Sequence, residues 1–413
     1  MRSSPKRFVP ICALVVALIG GRATPATANI WRFASEWLDF SWNVSLMETY
    51  DDNISSSVDN RESDFITSFG FNTKFVIRHP LGQFNLYYRF DQSLYLSHDE
   101  LNDVGSFAGL GQNQNVSFGD SVSLTRRDLV TYYVGVTRSP ESLHLNGRDR
   151  RSNLQNVDLE GIVVGQNPVT RGNAHLNYGH QFAAPVNFGL DGGYAITEYD
   201  DPVRLDSRTM SGGASLSWRI SPLRSVGVRY SISVNEFDSL PRARSDIYSV
   251  IYQDAFAPTW SLSAEVGASI NDTTDNSVNH VTPDADVRLH KDFKRGSGML
   301  GYSRSVGTSE GLGGTSENQA VTAAGTYQHS EIWSSSVSAT WSERVSKASS
   351  NRAFNGTSRR FIVRCQTTYP LTRVIRLRGG YLFSRESVPG RTGSGDVTNN
   401  QVFVGLTYGT HLL

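Results

Sequence analysis

Only two of the 413 residues are cysteine, Cys12 and Cys365, so no disulfide-rich scaffold holds this chain together. Charge is also scarce: 39 basic and 39 acidic residues cancel, and charged residues make up 19% of the chain. That balance offers no electrostatic footprint for nucleic acid. After residue 28 no run of about 18 apolar residues occurs, which excludes transmembrane helices beyond that point. Fixed-period repeats are missing, so a solenoid has no basis. Zinc spacings, phosphate-binding loops and nucleophile elbows are missing too, and nothing in the sequence calls for a metal or a cofactor. What is plentiful is glycine (37) and aromatic residues (44), with enough Leu, Ile, Val and Phe to exclude a disordered chain.

The first 28 residues read as a removable address. Arg2, Lys6 and Arg7 form a basic start, residues 8–21 are apolar but too short for a stable anchor, and Ala26-Thr27-Ala28 fits a small-x-small cleavage site. Cleavage there would leave 385 of the 413 residues, with 35 basic groups against 39 acidic ones. Cys365 would be the one remaining thiol. Residues 29–37 then form a short periplasmic segment, and 38–413 a single domain.

That domain reads as strands. Val226, Val228, Tyr230, Ile232 and Val234 alternate with Gly227, Arg229, Ser231 and Ser233. Trp260, Leu262, Ala264, Val266 and Ala268 alternate in the same way with Ser261, Ser263, Glu265, Gly267 and Ser269. Residues 186–197 repeat the pattern. Period-2 alternation puts the two sets on opposite faces of a sheet. Prolines fall in turns and polar segments, with only Pro283 inside an alternating run, as strand ladders require.

Eight short turns, near 79–82, 127–128, 183–185, 221–223, 257–258, 291–296, 329–331 and 370–372, alternate with nine polar loops of roughly 10 to 30 residues. Eight turns and nine loops require 18 strands with both termini on the short-turn side. The expected fold is all-β: a transmembrane antiparallel up-and-down β-barrel of about 18 strands, with short periplasmic turns and long outer loops, in the outer membrane of a Gram-negative-type bacterium. A large soluble β-sandwich or β-helix is the alternative, because alternation alone fits it too. Against it stand the Ser-, Thr-, Gly- and Asn-rich polar positions and the placing of Trp218, Trp260 and Trp333 beside short turns, as in an interfacial girdle. Val228, Tyr230, Leu262, Val266, Phe361 and Val363 should then face lipid, with Cys365 on the same side.

The opposite parity gives the candidate pore lining. Its basic members are Lys74, Arg78, Arg89, Arg219, Arg229, Arg288, Arg364, Arg376 and Arg378, and its acidic members include Asp91, Asp191, Glu265, Asp284 and Asp286. A slightly basic channel selecting by width and charge fits these residues, and so does a wall packed by salt bridges. Tyr87, Tyr95 and Tyr133 share the parity and would serve as sugar-stacking platforms or as space-fillers. The longest connection, 138–169, carries Arg148, Arg150 and Arg151 and an apolar stretch from Val157 to Val164. It either folds inward as a constriction loop or extends a neighbouring strand above the membrane. His98-Asp99-Glu100 and Tyr199-Asp200-Asp201 offer an acid/base pair to a barrel hydrolase, but solvated loop charge accounts for them more simply, so no catalytic residues are assigned. Asp51, Asp52 and Asn53 suit calcium on paper and turn chemistry better.

The segment Glu48-Thr49-Tyr50-Asp51-Asp52-Asn53-Ile54 follows a strand built on Phe40, Trp42, Val44 and Leu46. It resembles the start of the outer-membrane β-barrel family encoded in exopolysaccharide biosynthesis clusters, the "β-barrel porin 2" type. The resemblance implies a barrel that passes polysaccharide outward with a separate periplasmic secretion partner. The partners expected are outer-membrane lipid, polysaccharide and that second chain, with no nucleic acid. A structural or adhesive barrel with a closed lumen is the alternative function.

Overall fold

The computed structural model describes residues 37–55, 61–98, 101–102, 113–142, 163–200, 205–238, 240–273, 276–308, 315–347, 356–387 and 396–411. The proposed address (1–28) and the loop arginines Arg148, Arg150 and Arg151 lie outside the described residues.

Eighteen strands account for nearly all of it. They are β1 (Leu38–Asp51), β2 (Asp64–His79), β3 (Gly82–Tyr95), β4 (Asn113–Ser123), β5 (Asp128–Ser142) and β6 (Val163–Ala183). Then come β7 (Val186–Tyr199), β8 (Ser207–Ser221), β9 (Arg224–Phe237), β10 (Leu240–Ala257), β11 (Trp260–Thr273) and β12 (Asn276–Phe293). The set ends with β13 (Gly296–Thr308), β14 (Thr315–Gln328), β15 (Ser334–Lys347), β16 (Gly356–Pro370), β17 (Ile375–Ser387) and β18 (Val397–His411). Each pairs antiparallel with its chain neighbours, and β18 returns to pair with β1 from Ser41↔His411 to Asp51↔Gln401, so the sheet is closed. With 11 to 21 residues per strand, the wall exceeds the roughly 9–11 residues that cross a bilayer and rises above it.

The pairing register fixes the facing of every residue. Leu216, Val228, Val250 and Val266 are consecutive cross-strand partners, as are Tyr302, Val321, Trp341 and Phe361. These rows belong to the face that carries the exposed large hydrophobics, among them Leu46, Phe69, Leu176, Val337 and Leu406. In water such a surface would drive association, whereas in a bilayer it is the solvated face. The fold is thus that of an outer-membrane barrel, with lipid as its surrounding solvent. Trp218 and Trp333 are exposed on the outer face near the short-turn end, and Trp260 carries Lys291 Nζ 4.0 Å from its ring, giving the aromatic belt its periplasmic edge.

All eight short turns occur where the sequence puts them, but the outer connections differ from expectation. Only one residue pair, 238–239, separates β9 from β10, and only 274–275 separates β11 from β12. The polar stretches read as loops there are the outer ends of strands: above the membrane both faces meet water, alternation vanishes, and the period-2 signal is lost. For the same reason Pro140 and Pro168 lie inside β5 and β6, opposite each other beside a register shift, although the sequence puts them in polar loops. Likewise 138–142 and 163–169 of the supposed long loop are strand.

Replacing Val228 by arginine puts a charge on the lipid-facing wall and should cost about 2–4 kcal/mol of folding stability in vesicles. A denaturant titration that returns the wild-type midpoint would show the register to be wrong. Cys365, on the same outer face, should react with a water-soluble maleimide only after the vesicles are dissolved.

Candidate functional site

All fourteen residues assigned to the lumen from sequence lie on the inward face by register. Several form ion pairs along the wall. Arg89 Nε donates to Asp91 at 2.6 Å, Arg288 Nη2 to Asp286 at 2.7 Å, and Arg229 lies 3.5 Å from Glu265, which also accepts from Ser249 Oγ at 2.5 Å. Arg78 stands 3.6 Å from Asp39 near the periplasmic end. Residues two apart on a strand share a face, which is why Arg89–Asp91 and Arg288–Asp286 meet.

The charges are not evenly spread. On β11 and β12 the inward face carries Glu265, Asp284, Asp286 and Asp292 against Arg288. On β15, β16 and β17 it carries Arg344, Arg360, Arg364, Arg376 and Arg378 against Glu386 alone. The arginine file runs from Arg360 near the outer end to Arg376, the partner of Pro370, about 33 Å along the strand. Arg378 Nη2 donates to Gln366 at 2.5 Å, and the buried Nε of Arg364 meets no acceptor among the described residues. Arg344 and Arg360, together with Arg171 and His175 on β6, were not among the sequence candidates. Parity would have found them, since Arg344 continues Ser336, Ser338, Thr340 and Ser342 on the inward face.

Crowding divides the lumen along its axis. Ser233, Asn235, Ser269, Asn271, Ser384, Glu386 and Asn399, all inward and all in the outer half, are buried. Lys74, Gln83, Arg219, Gln253, Ser336, Arg376 and Arg378, inward near the short turns, are exposed. Most inward side chains near the short turns are therefore exposed, and those of the outer half are packed against their neighbours. Tyr87, Tyr95 and Tyr133 face inward on β3 and β5, with Tyr133 the most exposed.

The Tyr-Asp-Asp-Asn string proves to be a clasp. The Asp51 carboxylate accepts from Asn53 N at 2.9 Å, Asn399 Nδ2 at 2.8 Å and Gln401 Nε2 at 2.8 Å on the inner side of the wall. On the outer side Asp52 accepts from the Asn400 backbone N and Nδ2, both at 2.7 Å. Asn53, fully buried, donates to Thr398 O at 2.9 Å. These groups lock β1 to β18 where the barrel closes, and the carboxylate oxygens of Asp51 and Asp52 are engaged by donors. Among the described residues no cluster of potential ligands for a metal occurs. His98 is held by Asp64 at 3.0 Å, and Asp200 by Arg138 at 2.7 Å; Asp99, Glu100 and Asp201 lie outside the described residues.

No family model and no curated protein matches the sequence. Solved structures similar in shape include OpdQ of Pseudomonas aeruginosa, at 10% identity and TM-score 0.48 over 91% of this chain and 99% of that one. The outer membrane protein OpdK of the same organism gives 7% and 0.49 over 91% and 99%. A BenF-like porin from Pseudomonas fluorescens Pf-5 gives 10% and 0.46 over 90% and 99%. At these identities the likeness is one of fold, and the strand count and closure rest on the pairing itself.

Replacing Asp51 by alanine leaves three donors at the seam without their shared charged acceptor. It should lower stability by about 2–3 kcal/mol, read as an earlier urea midpoint in vesicles. A midpoint unchanged from wild type would show that the seam does not need the clasp.

Proposed function

We propose that the protein is a passive, porin-like outer-membrane channel for hydrated polar solutes, with a preference for anions. The observation that carries this reading is the file of five inward arginines on β15–β17 faced by one carboxylate. A guanidinium stays charged in a wet lumen, and a file of them offers successive weak sites rather than one trap, which conduction requires. Lys74, Arg78, Arg89, Arg219, Arg229 and Arg288 extend the lining, with Asp91, Asp191, Glu265 and Asp286 between them. Arg148, Arg150 and Arg151 would add positive charge at the outer mouth.

Export of an exopolysaccharide is the specific version. It is supported by the hydroxyl-rich inward faces, such as Ser334 to Ser342 on β15, and by the inward tyrosines on which sugar rings stack. A polymer route would require a separate periplasmic partner to deliver the chain. The closed-lumen reading, a structural or adhesive barrel, draws support from the crowded outer half of the interior.

Planar-bilayer recording separates these readings. A channel gives discrete conductance steps and an anion-selective reversal potential in a salt gradient; a closed structural barrel gives no steps. At about 5 Å in water one charge acts on a passing ion with about 0.8 kcal/mol, or a factor of about 4. Replacing Arg364 and Arg378 together by serine should therefore lower the anion-to-cation permeability ratio at least about twofold. An unchanged ratio in a conducting variant would remove the arginine file from the selectivity mechanism. Block of the current by an acidic oligosaccharide, and not by a neutral one of equal length, would favour export of a charged polymer.

A further inference from the structure

Two rows of outward residues on β13–β16 lie one above the other. The lower is Tyr302–Val321–Trp341–Phe361, each residue the cross-strand partner of the next and each 37–40% exposed to the bilayer side. One outward position higher, toward the outer loops, the partners are Arg304–Gln319–Glu343–Arg359. Apolar surface thus changes to polar in a single step across four adjacent strands. On these four strands such a step fits the passage from hydrocarbon to headgroups in the outer leaflet, since charge on the lipid face is costly deeper in the bilayer.

The upper row is organised by its own contacts. Glu343 accepts from Gln319 Nε2 at 2.9 Å and from Arg359 Nε at 2.6 Å, while Arg304 Nη2 stands 3.6 Å from Glu317. Holding Arg359 through Nε leaves its outer edge directed away from the carboxylate, and its side chain is 65% exposed. A guanidinium in that state offers a pair of donors to a phosphate. Arg304 and Arg359 terminate the row three interstrand spacings apart, about 14 Å.

We propose that this double row is a docking surface for an outer-leaflet glycolipid whose headgroup is a disaccharide phosphorylated at both ends. The two arginines would take the two phosphates, Gln319 and Glu343 would face the sugar between them, and the aromatic row would carry the first acyl carbons. The span of the row matches the length of such a disaccharide, whereas a lipid with one phosphate can engage only one end. The proposal depends on insertion in the outer membrane and not on whether the lumen conducts.

The test is native mass spectrometry of the folded full-length protein in detergent, titrated separately with bisphosphorylated lipid A, its monophosphorylated form and phosphatidylglycerol. Wild type should retain the bisphosphorylated glycolipid about tenfold more tightly than either single-phosphate lipid. Arg304→Gln with Arg359→Gln should abolish that advantage while keeping the heat-dependent gel shift of a folded barrel. Should the double variant lack the shift, Arg359→Gln alone is read in its place and should lose most of the advantage. Equal retention of all three lipids by wild type would overturn the proposal, as would an undiminished preference in a folded variant. Millimolar inorganic phosphate should not displace the glycolipid; displacement would mean that the site reads free phosphate and not the lipid.

Discussion

A backbone that crosses hydrocarbon has no water to bond to, so every N–H and C=O in the span must find a partner within the protein. For a chain built of short alternating strands, the one solution is a sheet with no edge. Everything else here follows from the pairing of β18 with β1 along Ser41–Asp51 and Gln401–His411. An open edge at that seam would expose about a dozen strand positions to lipid. The seam ends at the outer loops in a set of side-chain hydrogen bonds, with Asp51, Asp52 and Asn53 reaching Thr398, Asn399, Asn400 and Gln401 from both faces. These contacts join residues nearly 350 positions apart and hold the pairing between the two chain ends in place.

Closure then sorts the chemistry. Once the sheet is a cylinder, the outer parity meets lipid and the inner parity meets the lumen, and each strand must satisfy both at successive residues. Leu216, Val228, Val250 and Val266 form one continuous band because the register shifts of β8–β11 lie near the strand ends, outside this stretch. On the inside, several charges sit beside an opposite charge on the same or a nearby strand, as with Arg89 and Asp91 or Arg229 and Glu265. The departure from this balance, the arginines of β15–β17, is therefore the feature of the interior that wall packing accounts for least.

The outer edge of the belt shows the same sorting in the vertical direction. Trp341 and Glu343 are neighbours on one face of one strand, two residues apart, yet one is apolar and the other charged. Strands longer than the bilayer is thick make this possible, since the upper third of the wall needs no apolar side.

Alternation, proline placement and the count of short turns determined the architecture from the sequence alone. A lipid-facing strand must present an apolar residue at every second position, and eight tight turns leave room for only one arrangement of eighteen strands. Facing was legible for the same reason, down to Arg229, Glu265 and Arg364. What only the tertiary structure decided lies where that rule lapses. Above the membrane both faces are wet, so the outer ends of β9 to β12 read as loops. Asp51, Asp52 and Asn53 read as turn residues, because their partners on β18 lie at the other end of the chain. Parity along each strand gives the members of the arginine file, but their assembly into one file, like that of the Arg304–Gln319–Glu343–Arg359 row, is invisible along the sequence, since register sets it and register is made by hydrogen bonds between segments that the linear order keeps apart.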